Sequence, residues 1–411
     1  MGNEKVELRR SIGLVLLTLY GLGNILGAGI YVLVGKVAGE AGYAAPVSFF
    51  IASIAAGFSA FTYAELSARY PVSAGEAVYL YKGFKLNALS GLVGLMLALA
   101  GVASAAALAH GFAGYFQEIA HVPENLLVGG LILTLGVIAS WGIGESVKVA
   151  SLLTVIEIAG LVIIATVGLD RLVGDGLTPA LPLDNSSEGR EFVLDGIFVG
   201  AFLAFYAFIG FEDMINIAEE VKNPQRNLPL ATIFSLIAAT VLYALISYVS
   251  VNVVDPQRLS ESNAPLALVY AESTGKDALL ITIISLFAVV NGALIQIIMG
   301  SRILYGMANN GWMPQFLTSI NARTQTPLIS TVIITLALLI FALAFPFVTL
   351  VEMTSYLILS VFTLVNWALL RIKKVDPNPE GVKTFPIIIP ILGMTVSLLF
   401  IVLQVGQTIL S

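Results

Sequence analysis

Glu157 is the side chain with the most chemistry to offer, because it lies about ten residues into the apolar run from Val147 to Gly168. At about 1.5 Å of helical rise per residue, that depth is close to the middle of a bilayer. A charge there costs about 2.5–3.5 kcal/mol on insertion scales. The carboxyl must therefore be protonated, paired or hydrated, and each condition suits a group that takes up and releases an ion. The plainer reading is a permanently protonated acid bonded to a neighbouring helix. Glu212 and Asp213 follow a glycine-containing interruption, Phe205-Tyr206-Ala207-Phe208-Ile209-Gly210-Phe211, in another apolar run. A second interruption, Gly21-Leu22-Gly23-Asn24-Ile25-Leu26-Gly27-Ala28-Gly29-Ile30-Tyr31, lies in the first run. Unwound backbone at such a break offers amide N–H groups at the start of a half-helix, where the helix dipole suits a carboxylate. Gly23 and Gly27 also have GxxxG spacing, which points to helix packing. The acidic residues after the second break are harder to explain that way. One of them is read as an orienting or gating group, the other as a half-helix cap.

The remaining polar groups in apolar runs are few. Asn291 and Gln296 are five residues apart, so their side chains point about 140° away from one another on a helix and face different partners. Glu65 and Arg302 fall near the ends of their runs, where a snorkelling side chain and a gate ion pair are equally simple readings. His110 reads as an interhelical hydrogen-bonder. His110 and His121 are the only imidazoles and cysteine is absent, which excludes thiol chemistry and disulfides and argues against a histidine metal site. No metal and no cofactor are expected. No HExxH or GxSxG pattern offers an enzyme's acid–base or nucleophile set.

The elements that must hold these groups are apolar helices. Of 411 residues, 58% are hydrophobic and 11% charged, against about 25% charged in soluble domains. So few charges cannot cover a water-facing surface, which makes the chain an all-α integral membrane protein with the lipid bilayer as its surroundings. Nucleic acid is excluded as a partner by the small net charge of −6 and the scattered basic residues. About eleven runs have the length of a transmembrane helix: 12–36, 44–67, 86–116, 125–143, 147–169, 193–217, 228–254, 278–308, 327–346, 349–371 and 386–410. With the N-terminus inside, fifteen Lys and Arg fall on the inner side and five on the outer, as the positive-inside rule requires. The chain then divides into a cytoplasmic N-terminus (1–11), a first five-helix block (12–169) and an extracellular loop (170–192). A second block (193–371), a cytoplasmic loop (372–385) and a last span (386–411) follow, with the C-terminus outside. Five is odd, so the second block enters from the opposite side. Paired breaks in the first helix of two inverted blocks point to a midplane substrate site in a secondary transporter.

Several segments carry a resemblance. They include Gly27-Ala-Gly-Ile-Tyr-Val-Leu-Val-Gly35, Tyr63-Ala-Glu65, Gly75-Glu-Ala-Val-Tyr-Leu-Tyr81, Gly210-Phe-Glu212 and Ala218-Glu-Glu-Val-Lys-Asn-Pro-Gln-Arg226. Arg302-Ile-Leu-Tyr-Gly-Met-Ala308 and Gly311-Trp-Met-Pro314 go with them. Together they resemble the amino acid-polyamine-organocation permeases, the first segment being closest to the cationic amino acid transporter branch. The resemblance implies a LeuT-like five-plus-five inverted-repeat fold and alternating access. It implies an amino acid whose carboxylate meets backbone at Gly27, Ala28 and Gly29 and whose amine meets carbonyls near Tyr206, Phe208 and Ile209. Tyr206 would be a gate, and Glu212 is placed with it. Glu157 falls where many relatives carry a lysine that stands in for a sodium ion, and Asn291 matches the other side of that position, so a Glu157–Asn291 hydrogen bond is expected. The functional expectation is a secondary amino acid transporter in the cytoplasmic membrane that works by proton symport through Glu157. Sodium symport or exchange is the alternative, and a channel would need a continuous polar pore that the isolated mid-span groups do not supply. Whether the substrate side chain is apolar or cationic, and the oligomeric state, stay open.

Overall fold

The computed structural model describes residues 10, 12–72, 75–141, 146–174, 187–321, 324 and 326–410. Fifteen α-helices dominate the described residues: α1 Leu14–Ala28, α2 Ile30–Ala41, α3 Ala45–Arg69, α4 Gly75–Phe84, α5 Asn87–Gln117, α6 Glu124–Trp141, α7 Ser146–Gly174, α8 Ser187–Tyr206, α9 Pro224–Val253, α10 Pro256–Glu261, α11 Pro265–Thr274, α12 Leu279–Asn309, α13 Leu328–Ala344, α14 Phe347–Val375 and α15 Ile388–Leu410. A 3₁₀ segment, Glu212–Glu220, follows α8. Seven helical stretches are long and apolar enough to cross a bilayer, and four shorter stretches are strongly apolar. Their outward faces carry large apolar side chains such as Leu126, Ile237 and Ile340, each more than half exposed. Lipid is the only solvent that suits such a surface.

The interior is built around α1. It packs on α7, α9 and α12, while α3 is wedged between α8 and α9, and α5 lies along α12 and α14. Ile12 pairs with Val221 in a parallel bridge, so the chain entering α1 is tied to the end of the 3₁₀ segment.

Some elements depart from the sequence expectation. α4, α10 and α11 are helices in stretches that lack the length of a span. α10 starts on an Asp255 cap whose carboxylate accepts from the Gln257 amide at 2.9 Å, and α10 and α11 each begin with proline, which suits a first helical position. α7 runs past residue 169 to Gly174, and α8 begins at Ser187. Much of the expected 170–192 loop, and nearly all of the N-terminal segment 1–11, lie outside the described residues.

Glu65 settles into an ion cluster rather than at a lipid boundary, and Arg302 is exposed and takes no part in it. Glu65 is fully buried and meets Arg69 at 2.7 Å, Lys373 of α14 at 2.7 Å and the Phe385 amide at 2.8 Å. The cluster ties α3 and α14 to the chain leading into α15. Removing one partner of a buried cluster strands the others without compensation. Glu65→Ala is expected to cost roughly 3–5 kcal/mol, read as a lowered unfolding midpoint in detergent. Glu65→Leu combined with Lys373→Met and Arg69→Met should recover much of that loss.

Candidate functional site

The two interruptions meet at a crossing that only small residues permit. A Cβ on Gly29, between α1 and α2, would stand 2.2 Å from the Ala207 Cβ and 2.3 Å from its Cα. Gly210 has φ +124°, and a Cβ there would lie 3.0 Å from the Asn24 backbone. Both positions therefore require glycine. The Tyr243 hydroxyl of α9 lies 2.8 Å from the Ile25 carbonyl and 2.9 Å from the Ala207 carbonyl, holding both breaks to α9.

The breaks are not equivalent. The second unwinds over Ala207–Phe211, whereas the first is the single residue Gly29, which keeps right-handed dihedrals. Gly27 packs on the Ala288 carbonyl and Gly292 of α12. Direct packing of α12 and Ala207 onto these glycines explains why the first break stays nearly helical. Ala28 ends α1, and its side chain lies outside the described set.

Beyond the second break the two acidic residues part company. Glu212 Oε2 accepts from the Gly210 amide at 2.9 Å and so closes its own turn. Asp213 Oδ2 accepts from the Asn24 amide at 2.7 Å and the Gln296 amide at 3.1 Å. Asn24 also donates to the Gly210 carbonyl at 3.0 Å. One carboxylate oxygen thus joins α1, the 3₁₀ segment and α12.

About one and a half turns away on α12, Asn291 donates to Glu157 Oε1 at 3.2 Å, the expected pair. Glu157 is fully buried, and its Oε2 has no hydrogen-bond partner among the described residues. The Tyr31 hydroxyl donates to the Glu157 backbone carbonyl at 2.6 Å, and the Tyr115 hydroxyl donates to the Tyr31 carbonyl. A chain of contacts therefore runs from α5 through α2 and α7 to α12, next to Gly29.

Beside Asp213 and Gln296 lies a small cavity of about 20 Å³, lined in part by Ser104, Ile209, Glu212, Asp213 and Gln296. Glu76 of α4 also lines it. No Lys, Arg or His is among the described lining residues. The Tyr206 hydroxyl lies 3.0 Å from the hydroxyl of Ser104, which lines the cavity, and the Phe208 ring packs edge-on against Tyr243. Of the sequence-selected residues, Ile209 and Glu212 therefore reach the cavity and Tyr206 borders it through Ser104. Glu157 and Asn291 form a separate pair, and Gly27 and Gly29 are covered by packing. The sequence reading assigned no role to Asn24, Glu76, Tyr31, Tyr115 or Tyr243. Glu76 and Tyr31 stood in the segments that carried the resemblance, and Asn24 stood in the first break.

Burial pushes the Glu76 carboxyl up to about 8, and the Asp213 charge adds to it against the lowering effect of a backbone hydrogen bond. The folded protein thus holds a proton that the unfolded chain releases above its ordinary carboxylate range near 4.5. Its contribution is complete below that range and is lost as the pH rises through about 8. Glu76→Gln is expected to remove this loss, at most about 5 kcal/mol. The check is whether the fall in unfolding midpoint between pH 5 and pH 8.5 becomes shallower in the variant.

Interrupted helices around a buried polar cavity, inside a bundle whose outer faces are apolar, mark a multi-pass membrane protein. The chain belongs to the amino acid permease family, whose model matches residues 12–409. It is a multi-pass membrane protein, and its relatives are transporters and permeases, not enzymes. It is 34% identical over 393 residues to the vacuolar cationic amino acid transporter 4 of Arabidopsis thaliana, covering 90% of this chain and 64% of that protein. It thus spans just under two thirds of the plant transporter's length. It is 28% identical to two proteins of Bacillus subtilis, a methylthioribose transporter (100% of this chain, 91% of that protein) and a branched-chain amino acid permease (97% and 89%).

Proposed function

We propose that this permease is a secondary active transporter that carries an amino acid with a cationic side chain together with a proton, by alternating access. The reading includes a LeuT-like five-plus-five inverted repeat of ten spans plus an eleventh, in a cytoplasmic membrane with the N-terminus inside. The observation that carries the substrate class is Asp213, an acidic group held by two amide donors at a cavity with no base among its described lining residues. Such a cavity attracts an ammonium or guanidinium group and repels an acidic one. The name of the plant relative, a cationic amino acid transporter, agrees with this choice.

Coupling is assigned to Glu157. Its Oε2 lies buried without a partner among the described residues, and a proton there removes the charge that burial penalises. Loss of that proton recreates the penalty and favours an arrangement in which water or another partner reaches the carboxylate. The Asn291 and Tyr31 contacts pass that preference to α12 and α2. Reconstituted protein should accumulate labelled lysine or arginine against its gradient when an inward proton gradient is imposed in sodium-free buffer. Accumulation that requires sodium, or equal uptake of leucine and lysine, would replace the corresponding part of the proposal.

A further inference from the structure

His110 lies seven residues before the end of α5, and both of its ring nitrogens face acceptors. Nε2 is 2.9 Å from the Ala342 carbonyl in the last turn of α13, and Nδ1 is 2.6 Å from Oε1 of Glu124, the first residue of α6. In an α-helix the carbonyl of residue 342 would accept from the amide of residue 346, but Pro346 has no N–H to give. That carbonyl therefore takes its hydrogen from the imidazole, which fixes a proton on Nε2. A neutral ring with its proton on Nε2 presents a lone pair at Nδ1, facing the lone pairs of an ionised Glu124. At 2.6 Å the contact is attractive only when a second proton sits between the two groups. The first turn of a helix favours an anion, which puts that proton on the ring.

We propose that His110, Glu124 and the Ala342 carbonyl form a one-proton latch that fastens α5, α6 and α13 together at the outer end of the bundle and releases when the proton leaves. The term outer rests on the orientation proposed above. Among the described residues no other charge is set to replace this pairing. α13 has no titratable side chain, α6 has only Glu124, and α12 has none in the half that starts at Leu279. Glu352 of α14 is within reach of Gln404 of α15, and Lys36 of α2 donates to the Ser260 carbonyl. Glu76 of α4 lines the cavity with Leu97, Ala100, Gly101 and Ser104 of α5, all of which precede His110. On the α5 side, Tyr115 is bonded to Tyr31, and Glu118 and His121 lie beyond the latch in the connection to α6.

The latch has a route to the rest of the outer end. One turn past His110, Gly114 abuts the Asn263 carbonyl between α10 and α11 so closely that a Cβ would stand 2.6 Å from it. α10 and α11 in turn pack on α2. Fastening α5 therefore firms the cover over the second half of the interrupted first helix. Because the closed form holds one proton more than the open form, acid closes the latch and alkali opens it, by up to about tenfold per pH unit.

The test is made on the whole protein in nanodiscs, with ¹⁵N-labelled histidine and His121→Asn to leave one imidazole. The wild-type pair should show two N–H signals from His110 at pH 6, and one of them should be lost on raising the pH. Protection factors of the 118–122 amides, measured alongside, should fall several-fold or more between pH 6 and 8. Glu124→Gln, at a half-exposed position and able to donate from its own amide, should hold that protection constant across the range. His110→Gln should lose most of the pH dependence. A single N–H signal on His110 from pH 5.5 to 8, or a protection profile whose slope is the same in both variants as in wild type, would overturn the latch. Neither readout depends on transport, so failure here is distinct from failure of the proposed function.

Discussion

Glu157→Gln is expected to abolish accumulation driven by a proton gradient while leaving exchange of labelled for unlabelled substrate within a few-fold of wild type. Glutamine has nearly the same shape and still offers Asn291 a carbonyl oxygen in place of Oε1. It has no proton to lose, so the burial penalty that the account makes the source of coupling never appears. One pH unit is worth about 1.4 kcal/mol per proton, or a tenfold accumulation at clamped membrane potential. The wild type should approach that ratio, and the variant should equilibrate near unity. Accumulation in the variant with unchanged pH dependence would make Glu157 a structural acid. An equal loss of exchange and accumulation would show that the substitution had damaged the path itself.

Asp213→Asn is expected to weaken a cationic substrate by on the order of 100-fold and an apolar amino acid by only a few-fold. A hydrogen bond to a charged partner contributes about 1.5–3 kcal/mol, and about 2.7 kcal/mol corresponds to 100-fold in affinity. The substitution keeps the size of the side chain but sets a third amide among those of Asn24 and Gln296. The comparison of lysine with leucine in the same vesicles separates this effect from a general loss of packing. Equal losses for both substrates would confine Asp213 to holding α1 and α12 together.

Much of this site was legible because charge is expensive in hydrocarbon. The depth of Glu157 singled it out, and the angular separation of Asn291 and Gln296 sent them to different partners, as their bonds to Glu157 and Asp213 do. The breaks were legible as places, but their depth of unwinding was not. Whether a glycine opens the backbone or admits a neighbour depends on what packs there, and at Gly29 it is Ala207. Tyr31, Tyr115 and Tyr243 escaped notice because a tyrosine in an apolar helix reads as packing until its hydroxyl is seen against a carbonyl. Glu76 escaped because the stretch between two long helices reads as loop. Only the fold shows that α4 turns this carboxyl inward to the cavity that Asp213 lines.

The most direct test of coupled transport is to record proton and lysine movement together in proteoliposomes at clamped membrane potential, with sodium excluded. An inward lysine gradient alone should acidify the interior of the wild-type vesicles, one proton for each lysine, and should leave internal pH unchanged in Glu157→Gln vesicles. Lysine entry without acidification in the wild type would contradict proton symport and leave the protein an exchanger or a carrier coupled to another ion.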